Sequence, residues 1–382
     1  MKHDRDVAII GAGIAGSSLA KALADRGWDT VLFERKPFPR HKVCGEFLSP
    51  ESQRMLQQLG LHGRVEALRP SRLPRTRLVI GSGEAIEIPL PGTALGISRY
   101  LLDSALLGAA IDAGVHVQTA TAVTSVNPSE DGYTVETKQG DVRSTYRVRA
   151  VIAAWGANGH AGHTGGGRPD HSADLAYVGV KTHVGGIEME PVVELYFFEG
   201  GYVGVSPVEG GLVNVAALLK RASFADSDKT IAGWIDAASR RNAMLKRRLA
   251  GALPVPGTQA AVAPVDLRRK PQAWGALPHV GDAALMIPPL CGDGMSMALR
   301  SALLCAPLAD RCLRGEISLA GWQREYEQSI RREFYGPMQW GRLLHELLGM
   351  PVVPRLLLGA ARLAPGLAYG LVKATRVKPA DS

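Results

Sequence analysis

The residues best suited to chemistry stand in three strings. The first is Gly11-Ala12-Gly13-Ile14-Ala15-Gly16, followed by Glu34. The second is Lys42-Val43-Cys44-Gly45-Glu46. The third is Gly281-Asp282-Ala283-Ala284, closed by Pro289-Leu290-Cys291-Gly292-Asp293-Gly294-Met295. In the first string Gly11 permits a tight turn and Gly13 lets the backbone approach a pyrophosphate. Gly16 lets a helix pack closely on a strand. A helix opening at Ile14 aims free N–H groups and its positive dipole end at phosphates. Glu34 sits at the spacing where an acid accepts from a ribose hydroxyl. This chemistry is the binding of an ADP-containing dinucleotide, and the glycines alone leave FAD and NAD open.

The elements that must position these residues follow from periodicity. Residues 7–10 and 30–33 are short apolar runs suited to strands buried on both faces. Between them a helix over 14–25 stops at Gly27. Pro37 and Pro39 make 35–43 a loop. Ser49 as N-cap and Pro50 at the first helical position start a short helix to Leu59. Residues 77–80 and 85–88 alternate as a hairpin around Gly81-Ser82-Gly83. A helix runs from about Arg99 to Ala113. Strands follow at 115–117, 121–126, 133–137 and 142–148, then at 150–154. His160 and His163 lie in a glycine-rich loop and read as polar loop residues. Strands at 176–180, 192–198, 202–207 and 212–218 read as an antiparallel meander. A single amphipathic helix is expected over 229–249, another from Met295 to Leu313, and a helical tail over 316–382 with segments at 341–348 and 355–372.

Composition bounds the class. The chain has 382 residues, 46% apolar and 21% charged, ordinary for a globular protein of two domains or one domain with an insertion. The net charge of +8 comes without a basic run interleaved with aromatics, so nucleic acid is not expected as a partner. It leaves room for an acidic carrier protein or an anionic membrane surface. Cys44, Cys291, Cys305 and Cys312 show no disulfide framework, which points to a reducing cytoplasm, and no metal-ligand spacing is present. The first apolar run is too short and glycine-broken for a secretory leader. Arg355 and Arg362 interrupt the leucine-rich tail, so a membrane span is not expected. Packing over a cavity, or an interfacial helix collecting lipid-like substrate, are the readings of the tail.

With all three strings in hand, the chain resembles the geranylgeranyl reductase branch of the FAD-dependent oxidoreductases with the p-hydroxybenzoate hydroxylase fold. That branch carries Cys-Gly-Glu or Cys-Gly-Gly beside the flavin, and its second fingerprint matches Gly281 to Met295. The resemblance selects FAD over NAD. It implies an α/β protein, α+β overall: a Rossmann-type FAD-binding domain (1–70, 96–170 and 272–315), an inserted antiparallel substrate domain (71–95 and 171–271) and the helical tail. It implies cofactor contacts at Gly11, Gly13, Ile14, Ala15, Gly16, Glu34, Arg35, Cys44, Gly45, Arg99, Val123, Gly281, Asp282, Cys291, Gly292, Gly294 and Met295. Asp282 would take the ribityl hydroxyls and Arg99 the flavin nucleotide. Cys44 and Tyr202 are the candidate catalytic residues. Cys44 would hold substrate or donate a proton after hydride transfer, and Cys291, next to a helix N-terminus, would favour its thiolate. Both cysteines also read as small space-fillers.

Two departures from the family matter. The hydroxylases' Asp-Gly pair is replaced by Trp155-Gly156, which weakens any transfer of their NAD(P)H handling. The Tyr/Phe-x-Trp-x-Phe-Pro string becomes Tyr202-Val203-Gly204-Val205-Ser206-Pro207, with glycine for tryptophan and hence a roomier pocket. The halogenases' Trp-x-Trp-x-Ile-Pro string has no match. The expected function is reduction of a carbon–carbon double bond on an isoprenoid, phenolic or polyketide substrate, with NAD(P)H as transient reductant. Hydroxylation by an NAD(P)H-dependent flavin monooxygenase is the alternative, and a non-catalytic FAD-bound module docking a carrier protein is the third reading.

Overall fold

Why the glycine string ends up at a sheet edge is visible in the strand order. A computed structural model describes residues 3–80, 83–159, 177–348, 369–370 and 374–376. In chain order the first half runs β1 (Arg5–Ile10), α1 (Ile14–Ala24), β2 (Thr30–Phe33), β3 (Phe47–Leu48), α2 (Glu51–Gln58), α3 (His62–Ala67), β4 (Ser71–Val79), β5 (Ala85–Gly96), α4 (Arg99–Asp112), β6 (His116–Gln118), β7 (Ala122–Ser129), β8 (Gly132–Gln139) and β9 (Val142–Ala153). The second half adds β10 (Tyr177–Gly185), β11 (Val192–Phe198), β12 (Gly201–Pro207), β13 (Val213–Lys220), α5 (Ile231–Ser239), α6 (Ala243–Arg248), β14 (Leu253–Pro254), β15 (Ala260–Val265), α7 (Gly294–Leu313) and α8 (Leu319–Leu348).

Among the described residues the strands form two sheets. The first has the order β6-β2-β1-β9-β8-β7. Its β1 pairs in parallel with β2 and β9, Val7 opposite Thr30 and Ile10 opposite Ala153. Every residue of β2 and the last four of β1 are buried, as their unbroken apolar runs require. Helices α1, α4 and α7 cover one face through Leu19, Leu23, Leu106 and Leu299, and α8 packs Trp322, Tyr326 and Phe334 onto α7. The second sheet has the order β14-β10-β13-β12-β11-β4-β5-β3, with β15 also on β10. Its outer face packs Val203 and Val215 against Trp234 of α5.

Several local expectations change. The meander holds for β11, β12 and β13, but β10 pairs with β13 rather than β11, and β11 runs parallel to β4. Strands expected at 142–148 and 150–154 are one continuous β9. Phe47 and Leu48 pair with Gly96 and Leu95 at the edge of the second sheet, so the first segment reaches into it. Ser49 does not cap α2: its hydroxyl donates to Asp293 Oδ1 at 2.8 Å, and Pro50 takes the cap position without a side-chain bond. The helix expected over 229–249 breaks into α5 and α6, because Asn242 turns to accept from the N–H groups of Met244 and Leu245 and caps a new helix. The tail segment 341–348 is the end of the longer α8. Gly81, Ser82, His160, His163, Ala176 and the segment 355–368 lie outside the described residues.

Candidate active site

A cavity of about 770 Å³ opens between the two sheets. Its floor is the three strings. Gly13, Ile14, Ala15, Arg35, Cys44, Gly45, Arg99, Gly281, Asp282, Cys291, Gly292, Gly294 and Met295 line it, although they span most of the chain. Its other wall is the second sheet, where Leu78, Ile86, Ile88, Leu195, Tyr202, Gly204 and Leu218 present an apolar surface.

The glycines divide into two kinds. A Cβ on Gly16 would stand 1.8 Å from the Gly11 carbonyl oxygen, and one on Gly11, whose φ is +110°, would meet the Ala154 oxygen at 2.4 Å. These two pack backbone on backbone and stand behind the cavity wall. A Cβ on Gly13 would meet only Arg99 Nη2, at 3.9 Å, and on Gly45 or Gly294 nothing within 4 Å. Those three face open cavity. Gly292, at φ +68°, fits a left-handed turn against the Phe47 ring.

Besides Gly11 and Gly16, two implied contacts lie off the cavity lining. Glu34 is buried and its oxygens accept from the Ala12 N–H at 3.2 Å, the Lys36 N–H at 3.0 Å and Arg40 at 2.9 Å. It clamps the glycine turn to the basic loop behind the wall. Val123 packs with Ala8, Ile10, Val31 and Phe33 in the core of the first sheet.

Arg99 opens α4, whose N-cap Ser98 accepts from the Leu101 N–H. Its guanidinium is buried and held in a two-pronged pair by Asp103, at 2.7 and 2.8 Å, one helical turn on. Burial alone would lower its basicity, but Asp103 outweighs it, so Arg99 is a fixed cation at the cavity floor. Burial also governs the cysteines. It pushes the Cys291 thiol up to about 12, with the Asp293 carboxylate adding to the effect. The expectation of a favoured thiolate there is reversed, since desolvation outweighs the helix N-terminus. Cys44 is likewise raised by burial, against the pull of Arg99. Tyr202 is buried and its hydroxyl has no hydrogen-bond partner among the described residues. Burial pushes its phenol well up, so it stays protonated and available to donate.

A charged cluster that sequence reasoning missed stands beside Cys44. Glu46 and Lys181 are fully buried and His183 nearly so. Lys181 Nζ lies 2.8 Å from Glu46 Oε1, and His183 Nε2 lies 2.5 Å from Glu46 Oε2. The Arg99 N–H adds a bond to Glu46 Oε1 at 3.0 Å. Burial alone would raise the Glu46 carboxyl; the His183 hydrogen bond and the Lys181 charge outweigh it and hold it below the usual range. His41, on the cavity wall, brings Nδ1 to 3.3 Å from Lys181 Nζ. His41, Glu46 and His183 present ligand atoms within 4.8 Å of one another, a spacing a metal ion can use. The Lys181 ammonium stands among them and takes the place a cation would need. The available signal was Lys181-Thr182-His183 inside a valine-rich strand, where alternate residues share one face.

The FAD binding domain family matches across residues 4–319. The chain belongs to that family. Among curated relatives, this FAD-binding oxidoreductase is similar to the menaquinone reductase of Mycolicibacterium smegmatis, 29% identical over 330 residues that cover 81% of this chain and 77% of the relative. It is similar to digeranylgeranylglycerophospholipid reductase 2 of Methanopyrus kandleri, 26% identical with 86% and 83% covered. Among solved structures it is similar to the myxobacterial chondrochloren halogenase CndH, at TM-score 0.75 and 25% identity, covering 89% of this chain and 81% of that one. The resemblance to the geranylgeranyl reductase branch is thus matched by the named relatives.

The residues present fit FAD. Gly13, Gly45 and Gly294 leave room for close backbone approach, α1 and α7 both begin at the cavity, and Arg99 supplies a buried positive charge. Among the described residues no helix is long and apolar enough to cross a membrane.

Proposed function

We propose that this oxidoreductase saturates carbon–carbon double bonds in the prenyl chain of a lipid, the substrate class its relatives' names carry. The observation that supports this is the form of the cavity: one volume of about 770 Å³ joins the glycine and Arg99 floor to an apolar sheet wall. An elongated apolar substrate can lie along that wall while its reacting bond meets the floor. Bound FAD, once reduced, supplies a hydride. Gly13, Ile14 and Ala15 would hold the pyrophosphate at the start of α1. Gly292, Gly294 and Met295 would hold the pyrimidine edge at the start of α7, and Asp282 the ribityl hydroxyls. The chain's own task is then threefold: exclude water with the apolar wall, orient the chain, and deliver a proton to the second carbon. Cys44, protonated and on the cavity wall, and Tyr202, with its unpartnered hydroxyl, are the residues placed to orient polar parts of a ligand. Reduction by NAD(P)H binding transiently is part of the proposal. A small acidic carrier or an anionic membrane surface as the source of substrate would suit the net charge of +8.

The experiment is anaerobic: the FAD-loaded protein is reduced with dithionite and mixed with menaquinone, and the product is weighed by mass spectrometry. Gain of two hydrogens on the chain is expected. Recovery of menaquinone with its chain unsaturated, together with oxygen uptake and insertion of oxygen into an aromatic acceptor once the reduced protein is exposed to air, would refute it.

A further inference from the structure

The buried cluster beside Cys44 has a protonation pattern that can be worked out from its contacts. Glu46 is ionised and accepts only. His183 Nε2, 2.5 Å from Glu46 Oε2, therefore carries its hydrogen and donates it. Lys181 Nζ lies 3.0 Å from that same nitrogen, a donor facing a donor, so it spends its hydrogens elsewhere. Glu46 Oε1 takes one at 2.8 Å, and His41 Nδ1 takes another at 3.3 Å. The remaining hydrogen of the His41 ring is then on Nε2. His41 is half-buried, lines the cavity, and is held flat by Tyr100, with ring centroids 4.7 Å apart and planes 25° apart.

We propose that His41 delivers, from Nε2, the proton that double-bond reduction requires, and that the Lys181 ammonium replaces it through Nδ1. The inference rests on the proposed function. In the step, the π bond opens and one carbon receives a hydride, with its two electrons, from reduced FAD. The other carbon forms a C–H bond with the proton leaving His41 Nε2. A proton passes from Lys181 Nζ to His41 Nδ1, so the imidazole stays neutral with its tautomer exchanged and Lys181 becomes a neutral amine. Water at the half-buried ring returns a proton to Nε2, and Nδ1 returns its own to Lys181. An isolated buried carboxylate could not tolerate loss of its ammonium. Glu46 can, because His183 Nε2 and the Arg99 N–H remain on it.

The charged and titratable groups that face His41 are Lys181 and His183 from β10, Glu46 from its own loop, and Tyr100 from α4. Burial, then the Lys181 and His183 charges, hold the ring below the usual histidine range against Glu46, which keeps it neutral. Cys44 is the rival donor on the same wall. Its sulfur accepts from the Glu46 backbone N–H and from Arg99, whose guanidinium is a fixed cation and does not give up a proton to restore one.

The test has two arms on the full chain. In the first, imidazole ¹⁵N NMR of the protein reads His41 directly, whatever the substrate is. A neutral ring with hydrogen on Nε2 is expected, titrating below the usual range, and Lys181→Arg should leave that tautomer in place. A hydrogen on Nδ1, or titration at or above the usual range, overturns the relay. In the second arm, dithionite-reduced protein is mixed with menaquinone over a pH series. His41→Gln should slow chain reduction by about a hundredfold at unchanged FAD content. Lys181→Arg keeps the charge on Glu46 but cannot lend a proton, so it should slow the step similarly. Wild-type rates in both variants, or a hundredfold loss confined to Cys44→Ala, overturn the proposal. A wild-type protein that leaves menaquinone untouched would count against the substrate reading, and the NMR arm would still decide the relay.

Discussion

Gly13 and Gly16 belong to one motif, yet replacing them should do opposite things. At Gly13 the backbone is extended, φ −78° and ψ −172°, which any residue adopts, and a Cβ meets only Arg99 Nη2 at 3.9 Å. A Cβ at Gly13 therefore meets no clash in the fold, and restricting the unfolded chain, about 0.4–1 kcal/mol, offsets the poorer fit of valine at the helix N-cap, so FAD-free Gly13→Val should melt close to the wild type. The branched side chain instead fills the space a pyrophosphate must enter. An overpacked contact costs about 1–3 kcal/mol, which weakens FAD roughly 5- to 150-fold, and more if the phosphate cannot shift. At Gly16 the clash is internal: 1.8 Å to the Gly11 oxygen, with the Gly11 carbonyl carbon at 3.0 Å and the Ala154 Cβ at 3.1 Å. Backbone cannot yield as a side-chain tip does, so Gly16→Ala should lose more than about 3 kcal/mol of stability with or without cofactor. Fluorescence titration with FAD and thermal melts of the FAD-free proteins separate the cases. A yellow, fully occupied Gly13→Val, or a Gly13→Val melt as depressed as that of Gly16→Ala, would refute the division of labour.

Three further outcomes follow from buried polar groups and cavity shape. Tyr202→Phe removes a buried hydroxyl that lacks a partner among the described residues, so the FAD-free protein should melt about 1 kcal/mol higher; a loss of that size would mean the hydroxyl is bonded. His41 and Glu46 are both held below their ordinary values of 6.5 and 4.5, so the unfolded chain takes up protons first as pH falls. Stability present above about pH 6.5 should decline first through His41 and then, below about pH 4.5, through Glu46; denaturant melts of Glu46→Gln should lack the lower step and show about 3–5 kcal/mol less stability at neutral pH. Gly204 lines the cavity with its nearest neighbour, Leu195 Cδ2, 3.4 Å from a Cβ, so Gly204→Trp should fold, bind FAD and shift substrate use toward shorter prenyl chains in competition assays. Unchanged chain-length preference would show that this wall does not contact the substrate.

The parts of the fold that sequence made legible are those decided locally. The run at β1, the glycine turn and the helix after it are fixed by residues within one βαβ unit, and they stand where expected. What was not legible depends on neighbours distant in sequence. Ser49 carries the signature of a helix cap, but Asp293 reaches it from the far end of the chain and takes its hydroxyl. Asn242 looked like one polar residue in an amphipathic helix, and its capping bonds end one helix and begin another. The partner of β10 is likewise set at a distance: adjacency in sequence favours β11, while the sheet gives it β13, with Lys181 opposite Ala216 and His183 opposite Asn214.

The same distinction explains the site. Cys44 and Gly45 were legible as a string, but the structural reason for the string lies in Glu46. It is a non-glycine residue at φ +55°, a backbone state that costs free energy and persists only when its surroundings hold it. What holds it comes from both halves of the molecule. Lys181 and His183 reach it from β10 of the second sheet, and the Arg99 N–H reaches it from the start of α4 on the first. Asn214 and Ser206, also on the second sheet, bind the carbonyls of Cys44 and Gly45 at 3.1 and 3.3 Å. The turn at Glu46 therefore joins the glycine-lined floor of the cavity to its apolar wall, and it fixes Cys44 with respect to both. A sequence can show that a glutamate follows a glycine; it cannot show that its carboxylate is the point where two sheets are fastened together.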